Sequence, residues 1–360
     1  MRRKVWMTAL RRCVALGCVI AVGVVLCRYG VGERLALMAA GLRRPEGVFA
    51  LMDGQTVAPP SYEAPPTAPF EGVGDTTGVD IPTAVVPLAE TAAVTMTAPP
   101  GNKGDGGALV VRTMATGDRG KGIAIQNRSG TAVDIAAALS ATLPLCWENT
   151  DQPQVLILHT HTTEGYMTYE ADYYNAADRH RTDDHTRNVC AVGETVKLTL
   201  AAYGIAAIHD TTIHDSPVYS GAYGRSAEVA QRYLEQYPSI KVVLDLHRDS
   251  VMDGEAMVRP VAQVEGKQAA QMMLITGVVS TDSLPHPHWR ENLTLAAHWQ
   301  AALDKVSPDL MRPLNTVASR YNQHLSPGWV LVEMGAEGNT IEEAVYSAQI
   351  LGRTLAQLLS

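Results

Sequence analysis

The sequence has no excess of positive charge. Over 360 residues, 29 Lys and Arg stand against 37 Asp and Glu, a formal net charge of −8. No basic stripe interleaved with aromatics runs along it, which excludes a nucleic-acid surface. Negative charge leaves an anionic polymer such as a cell wall open as a substrate. Also missing are Gly-x-Gly-x-x-Gly, the P-loop and Gly-x-Ser-x-Gly, so nucleotide binding and serine hydrolysis have no support. Cysteine is scarce, and three of the five, Cys13, Cys18 and Cys27, sit in or beside one apolar segment near the start. Cys146 and Cys190 remain. They could pair in an oxidising space, but no CxxC spacing or disulfide framework surrounds them, and no metal role is assigned to either. No internal repeat is visible.

What is present begins with MRRKVWMTALRR, which carries Arg2, Arg3, Lys4, Arg11 and Arg12, followed by the uncharged VALGCVIAVGVVLC at 14–27. Fourteen helical residues span about 21 Å at ~1.5 Å each, short of the ~20 residues a bilayer prefers. No small-x-small cleavage site follows, because Arg28 and Tyr29 come at once. The expectation is an uncleaved, single-pass membrane anchor at 1–28, basic end in the cytoplasm and the rest outside. Residues 29–118 read as an extracytoplasmic linker. A short helix is expected within 28–51, then Pro-, Thr-, Ala- and Gly-rich text (QTVAPPSYEAPPTAPF, TAAVTMTAPPGNKGDGG) too poor in core formers to fold, a disordered tether.

From residue 119 the pattern becomes regular. A short strand, a turn at 127–130 and a helix are expected in GIAIQNRSGTAVDIAAALS. Strands are expected at 155–158, 205–208, 241–246, 272–278 and 329–333, with a hairpin at 256–264. Helices are expected at 189–204, 226–237 with Ser226 as cap, 291–305, 308–323 and over the last 20 residues. This alternation predicts an α/β fold, a mostly parallel (mixed) twisted sheet with helices on both faces.

In such sheets sites form at the carboxyl ends of strands. Three strands end in loaded residues: VLIL runs to His159 and His161, KVVLDL to His247, and WVLV to Glu333. Zinc suits this set, since a catalytic site takes three His or carboxylate ligands and leaves one position for water. Glu333 is the candidate proton carrier. Either member of HTH could be the first ligand, His161 being favoured with His159 as the alternative. Asp245, two positions before His247, could orient that imidazole, and Arg248 and Asp249 could pair or meet a substrate carboxylate. Two residues compete as carboxylate ligand: Glu164, with the short His-x-x-Glu spacing of carboxypeptidase-like sites, and Glu194, early in the following helix. His209 and His214 could line the groove without evident ligand geometry. His286 and His288, among prolines, read as a surface turn. His180, His185 and Arg187 fall in a polar loop over the site.

The strings HTHTTEGY, NVCAVGETVKLTLAAYGIAAIHDTTIHD, GAYGRSAEVAQRYLEQYPSIKVVLDLHRDS, HWRENLTLA and RPLNTVASRYNQHLSPGWVLVEMGAEGNTIEEA resemble, in order, the stage II sporulation protein P family. The resemblance runs from about residue 120 to the end. It implies a sporulation cell-wall hydrolase that cuts the N-acetylmuramoyl-L-alanine amide and also peptide cross-links, related to the zinc-dependent N-acetylmuramoyl-L-alanine amidases. Laid without gaps on the amidase pattern, it implies Zn2+ held by His161, Glu194 and His247, with Glu333 catalytic, Asn339 following it, and Arg248 as an oxyanion donor. The chain departs from that pattern at the first histidine, where threonines replace a glycine-rich turn. A carboxypeptidase-like or endopeptidase specificity built on His161, Glu164 and His247 is the competing expectation. Implied partners are peptidoglycan, the membrane, and stage II sporulation proteins D, M and Q, at the sporulation septum and engulfing membrane. Cys146 and Cys190 are expected to be dispensable for hydrolysis.

Overall fold

The computed structural model describes residues 91–99, 106–120, 122–143, 145–175, 181–281 and 283–360. The chain divides into two units, 1–68 and 69–360, and the first lies wholly outside the described residues. So do the expected anchor at 14–27, the short helix expected within 28–51, and most of the tether. Among the described residues no helix is long and apolar enough to cross a membrane.

The 119–360 region opens with β2 (Ile125–Asn127) and α1 (Ile135–Ser140), where Asp134 caps the helix by accepting from the Ala137 amide. The chain then runs β3 (Val155–Leu158), α2 (Val189–Ala202), β5 (Ala207–His209), α3 (Ala222–Gln236) and β6 (Val242–Asp249). It continues through β10 (Met272–Gly277), α4 (Trp289–Val306), β11 (Leu314–Val317), β12 (Trp329–Ala336) and α5 (Ile341–Leu358). Seven strands form one sheet in the order β2-β11-β10-β12-β6-β3-β5. Every neighbouring pair is parallel except β10–β12, so the sheet is mixed.

Side chains alternate along each strand, and the burial follows. Val155 and Ile157 of β3 pack into the core formed with α2, α4 and α5. Leu156 and Leu158 face the other way, onto Val229, Ala230 and Tyr233 of α3. Helices therefore cover both faces of the sheet. On β6 and β12 the same alternation puts Asp245, His247 and Glu333 on the α3 side, and the parallel register sets Glu333 directly beside His247.

A second sheet has the order β4-β1-β8-β7, with β9 paired to β8. Its strands are β1 (Gly107–Arg112), β4 (Tyr173–Tyr174), β7 (Met252–Asp253), β8 (Ala256–Val264) and β9 (Lys267–Ala270). Here β1 comes from the stretch read as linker: GALVVR follows its glycines and pairs in parallel with β8. Residues 91–99 also dock on the domain, Thr95 and Thr97 donating backbone hydrogen bonds to Thr186 and Thr168.

Three expectations are corrected. Residues 308–323 hold no long helix. Pro313 removes a donor and would clash with the preceding turn, and LNTV behind it pairs as β11. The hairpin at 256–264 is a single strand, β8, whose turn comes at Glu265 and Gly266, both at positive φ. Ser226 does not cap α3, which starts four residues earlier behind Gly221 in a left-handed conformation. It is buried and meets Thr160 instead.

A buried ion pair ties the second sheet to α5. Arg259 of β8 donates from Nε to Glu343 Oε2 (2.9 Å) and from Nη2 to Glu343 Oε1 (2.8 Å). Glu343 also closes the capping box of α5 with Thr340. Removing one partner strands the other charge, which costs about 3–5 kcal/mol. Arg259→Met is expected to lower the thermal unfolding midpoint correspondingly, whereas Arg112→Met, which breaks an exposed pair with Asp253, should leave it within experimental error.

Candidate functional site

After Leu158 the chain leaves the sheet, and Asp245 catches it. The Thr160 amide donates to Asp245 Oδ1 (2.8 Å) and its hydroxyl to Oδ2 (2.7 Å). Thr162 Oγ1 lies 2.9 Å from the His159 carbonyl and 2.7 Å from the Thr212 carbonyl, with one hydroxyl proton to share between them. Thr163 gives Asp215 both its amide (3.1 Å) and its hydroxyl (2.7 Å). The threonines that stand where a glycine-rich turn was implied thus hold the turn by side-chain bonds. They also separate the two histidines. His159 turns toward α2, and His161 toward the start of α3.

His161 meets four groups. Its Nε2 lies 3.1 Å from the Tyr219 hydroxyl, with the two rings stacked at a centroid distance of 4.5 Å. Its Nδ1 is 3.9 Å from Asp215 Oδ2. The His247 ring stands edge-on at 5.4 Å, and Tyr223 closes a third side at 5.6 Å. His247 in turn has Nδ1 3.5 Å from Glu164 Oε2 and Nε2 2.9 Å from Asp245 Oδ1, off the line of a hydrogen bond. Glu164 accepts the Arg248 amide (3.0 Å) and faces Arg181 Nη2 at 3.5 Å.

Electrostatics follow from burial. Burial pulls the His161 imidazole down to about 4, with His247 adding to the effect. Burial also works against protonated His247, but Asp245 and Glu164 overcome it and hold its pKa well above the usual imidazole value. For Glu164 burial would raise the pKa, yet His247, Arg248 and His161 bring it to about 2. Glu333 has no such company. Burial, with Asp249 and Glu164 nearby, pushes it up to about 8 despite His247.

Glu194, the carboxylate that the resemblance favoured, lies elsewhere. Its Oε2 is 3.0 Å from His209 Nδ1 and its Oε1 accepts from Lys197 (3.1 Å). Arg248 turns its guanidinium onto the Gly165 carbonyl (3.1 Å) and Glu337 (3.3 Å), and touches the cluster through its amide. Asn339 shapes the turn after β12, accepting the Ala336 amide (2.8 Å) and donating to the Pro260 carbonyl (2.9 Å). His209 stands apart from the His161 cluster, its Nε2 2.8 Å from that of His159. His214 is buried 3.9 Å from Asp210. His286 is fully buried rather than on a surface turn, its flanking prolines folding it inward against Asn292, and His288 sits at the start of α4. Arg187 donates to Thr168 Oγ1. His185 lines a cavity beside α2, and His180 lies outside the described residues. Cys146 is exposed, Cys190 buried, and both are free.

Sequence reasoning missed Arg181, Asp215, Tyr219 and Tyr223. Arg181 pairs with Asp215 and lies over the Tyr219 ring at 4.7 Å. The polar loop expected over the site was the available signal for Arg181. The tyrosines lie in SPVYSGAYG, which has no periodicity to announce them.

Whether a metal fits is answered by unused atoms. His161 Nδ1, His247 Nε2 and Glu333 Oε2 are buried without a hydrogen-bond partner among the described residues. Unpaired buried polar atoms are costly, and two imidazole nitrogens beside carboxylates are a donor set that zinc accepts. The three groups around His161 do not close as tightly as a second set, however. Among the described residues only His159, Cys190 and His209 bring three ligand atoms within 4.8 Å of one another.

The profile described as Stage II sporulation protein P (SpoIIP) matches residues 118–356. The chain belongs to the stage II sporulation protein P family. The matched span starts within a residue of the expected domain start and covers every side chain of the site, so the family's segment and the cluster coincide. No curated protein matches the chain. Solved structures with some likeness include an apo N-acetylmuramyl-L-alanine amidase of Mycobacterium abscessus, 11% identical, covering 58% of this chain and 100% of that one, at a TM-score of 0.33. An N-acetylmuramoyl-L-alanine amidase of Nostoc punctiforme is 13% identical over 57% and 94% (TM-score 0.33). One from Clostridium difficile 630 is 14% identical over 58% and 94% (TM-score 0.32). Likenesses at this level decide nothing about substrate or mechanism.

The turn's dependence on Asp245 is measurable. Asp245→Asn keeps the volume but sets an amide NH2 against a donor, the Thr160 amide or hydroxyl. It is expected to cost about 1–3 kcal/mol, read from the midpoint of denaturant unfolding.

Proposed function

We propose that the chain is a zinc-dependent peptidoglycan hydrolase that cleaves the N-acetylmuramoyl-L-alanine amide, with His161, Glu164 and His247 as metal ligands and Glu333 as the proton carrier. The observation that carries it is the meeting of these four groups at the carboxyl ends of β3, β6 and β12, with buried unpaired atoms on His161, His247 and Glu333. Membership of the stage II sporulation protein P family supports the wall as substrate. Glu164 is preferred over Glu194 because its carboxylate touches His247, while Glu194 is engaged by His209 and Lys197.

The chemistry such an ion supplies when bound is polarisation of a carbonyl and a lowered pKa for water. The side chains supply the rest. Glu333 Oε2, held near neutrality by burial, takes a proton from the attacking water and returns it to the leaving nitrogen. Asp245 fixes the His247 ring. Arg248 acts through its amide, keeping the Glu164 carboxylate turned to His247 rather than meeting the substrate itself. Tyr219, about half exposed, and Arg181 border the open side, where a muramyl peptide with its carboxylates would enter. The apolar 14–27 segment would tether this domain outside the membrane at the septum, in reach of the family's sporulation proteins D, M and Q.

Glu333→Gln is expected to cut hydrolysis about 10²–10⁴-fold with an unchanged circular dichroism spectrum. Mass spectrometry of digested peptidoglycan tests the bond: stems with a free L-alanine amino end support the amidase, whereas cleaved cross-links on intact muramyl amides support the endopeptidase reading. A second comparison tests the carboxylate. Glu164→Gln should lose far more activity than Glu194→Gln, and the reverse order would return the ligand role to Glu194.

A further inference from the structure

Behind the turn, on the α2 side, His159, His209 and Cys190 form a cluster that the hydrolytic site does not use. Each imidazole has one nitrogen already committed. His159 Nδ1 is 2.9 Å from the Leu246 carbonyl, which can only accept. His209 Nδ1 is 3.0 Å from Glu194 Oε2. With Nδ1 of each ring turned to those acceptors, both rings direct Nε2 toward the same point, and ligand atoms of His159, His209 and Cys190 all lie within 4.8 Å of one another. Those two nitrogens face each other at 2.8 Å, a separation that holds one proton between them and that a cation bound by both rings would replace.

Two features bear on the cluster's access: the glycine that lets both rings approach α2, and an adjoining cavity. Gly193 lies one turn along α2 from Cys190, and a Cβ there would stand 2.5 Å from His209 Nε2 and 2.8 Å from His159 Nε2. A side chain would fill the point on which the two nitrogens converge. A cavity of about 510 Å³ also opens on Cys190, Glu194 and His209, bordered by His185 and Thr211, and gives access from solvent.

We propose that His159 Nε2, His209 Nε2 and Cys190 Sγ form a second metal site for a borderline or soft cation such as Zn2+, with a fourth position facing the cavity. Two imidazoles and a thiolate exclude Mg2+ and Ca2+, which take oxygen. Zinc–nitrogen bonds of ~2.0–2.1 Å in a tetrahedral arrangement need the two nitrogens about 3.3 Å apart, so loading opens the present contact by roughly half an ångström. Binding forms the metal–sulfur bond as Cys190 gives its thiol proton to solvent. Glu194 becomes a positioning residue that orients His209, the carboxylate–histidine arrangement common behind metals. The site is independent of the zinc proposed at His161.

Cobalt(II) tests it in the full chain, because only this site contains sulfur. Titration is expected to produce a sulfur-to-cobalt charge-transfer band in the near ultraviolet, displaced by Zn2+. The band should persist in His161→Ala and vanish in Cys190→Ser. X-ray absorption on the zinc form should show a sulfur neighbour at about 2.3 Å. Glu194→Gln should weaken cobalt binding about 10–100-fold, which keeps the test alive should Cys190→Ser fail to fold. Absence of the band at saturating cobalt overturns the proposal and leaves a shared proton between the rings. A band that survives Cys190→Ser overturns it too.

Discussion

Asp245 is the constraint on which the rest of the site depends. It is fully buried in the middle of the sheet, and one carboxylate answers to three elements. It takes two hydrogen bonds from Thr160, stands 2.9 Å from His247 on its own strand, and through Thr160 reaches Ser226 of α3. A buried carboxylate without donors would protonate or unfold its surroundings. Here its need for donors is met by the turn that carries both histidines of HTH. The same bonds that satisfy Asp245 therefore fix where His159 and His161 can point. Burial works to raise its pKa, but His247 and the Thr160 bonds hold it below the usual carboxylate range.

That coupling explains which parts of the site were legible in the sequence. Strand ends were readable because VLIL, VVL and WVLV are short apolar runs that belong in a core, so the polar residues that follow each lie toward the sheet's edge. The HTH pair, His247 and Glu333 follow from that, but not the choice between His159 and His161. The choice between Glu164 and Glu194 does not either. Helical spacing shows that Glu194 is early on α2, but not that His209 and Lys197 will occupy it. Nor could spacing foresee that Glu164, in a turn without periodicity, would be held by the Arg248 amide. Arg181 and Asp215 escaped for a related reason. Their pairing closes two loops on one another, and loops carry no repeating pattern.

The fold shows the same division. Alternating strands and helices gave the layers, but local chemistry moved the edges. Pro313 converts an apolar stretch with helix-like spacing into β11, and Gly221 begins α3 earlier than its Ser226 suggests. The glycine-rich approach to GALVVR hid a strand, because composition averages over a window longer than six residues. Only the start of α3 is a boundary shift; at β11 and β1 the element itself differs from the expectation.

Charge accounts for why so polar a crevice stays buried. Glu164, Asp215 and Asp245 each lie within 4 Å of a histidine nitrogen, and Glu333 is beside His247 in the sheet register. Of the nearby arginines, Arg181 serves Asp215 and Glu164, while Arg248 spends its guanidinium on Gly165 and Glu337. Without a metal, the chain settles the negative excess in two ways. It keeps a proton on His247, and it lets Glu333 hold one to about pH 8. A divalent cation held by the His161 and His247 rings, as proposed above, would favour loss of both protons. The cation would thus complete an electrostatic balance that the protein alone achieves only by retaining protons. On the α2 side the surroundings differ, two imidazoles and a thiol with the single carboxylate of Glu194 behind His209, so the same turn presents a carboxylate-rich cluster on one face and a nitrogen–sulfur cluster on the other. One two-residue step, from His159 to His161, divides them.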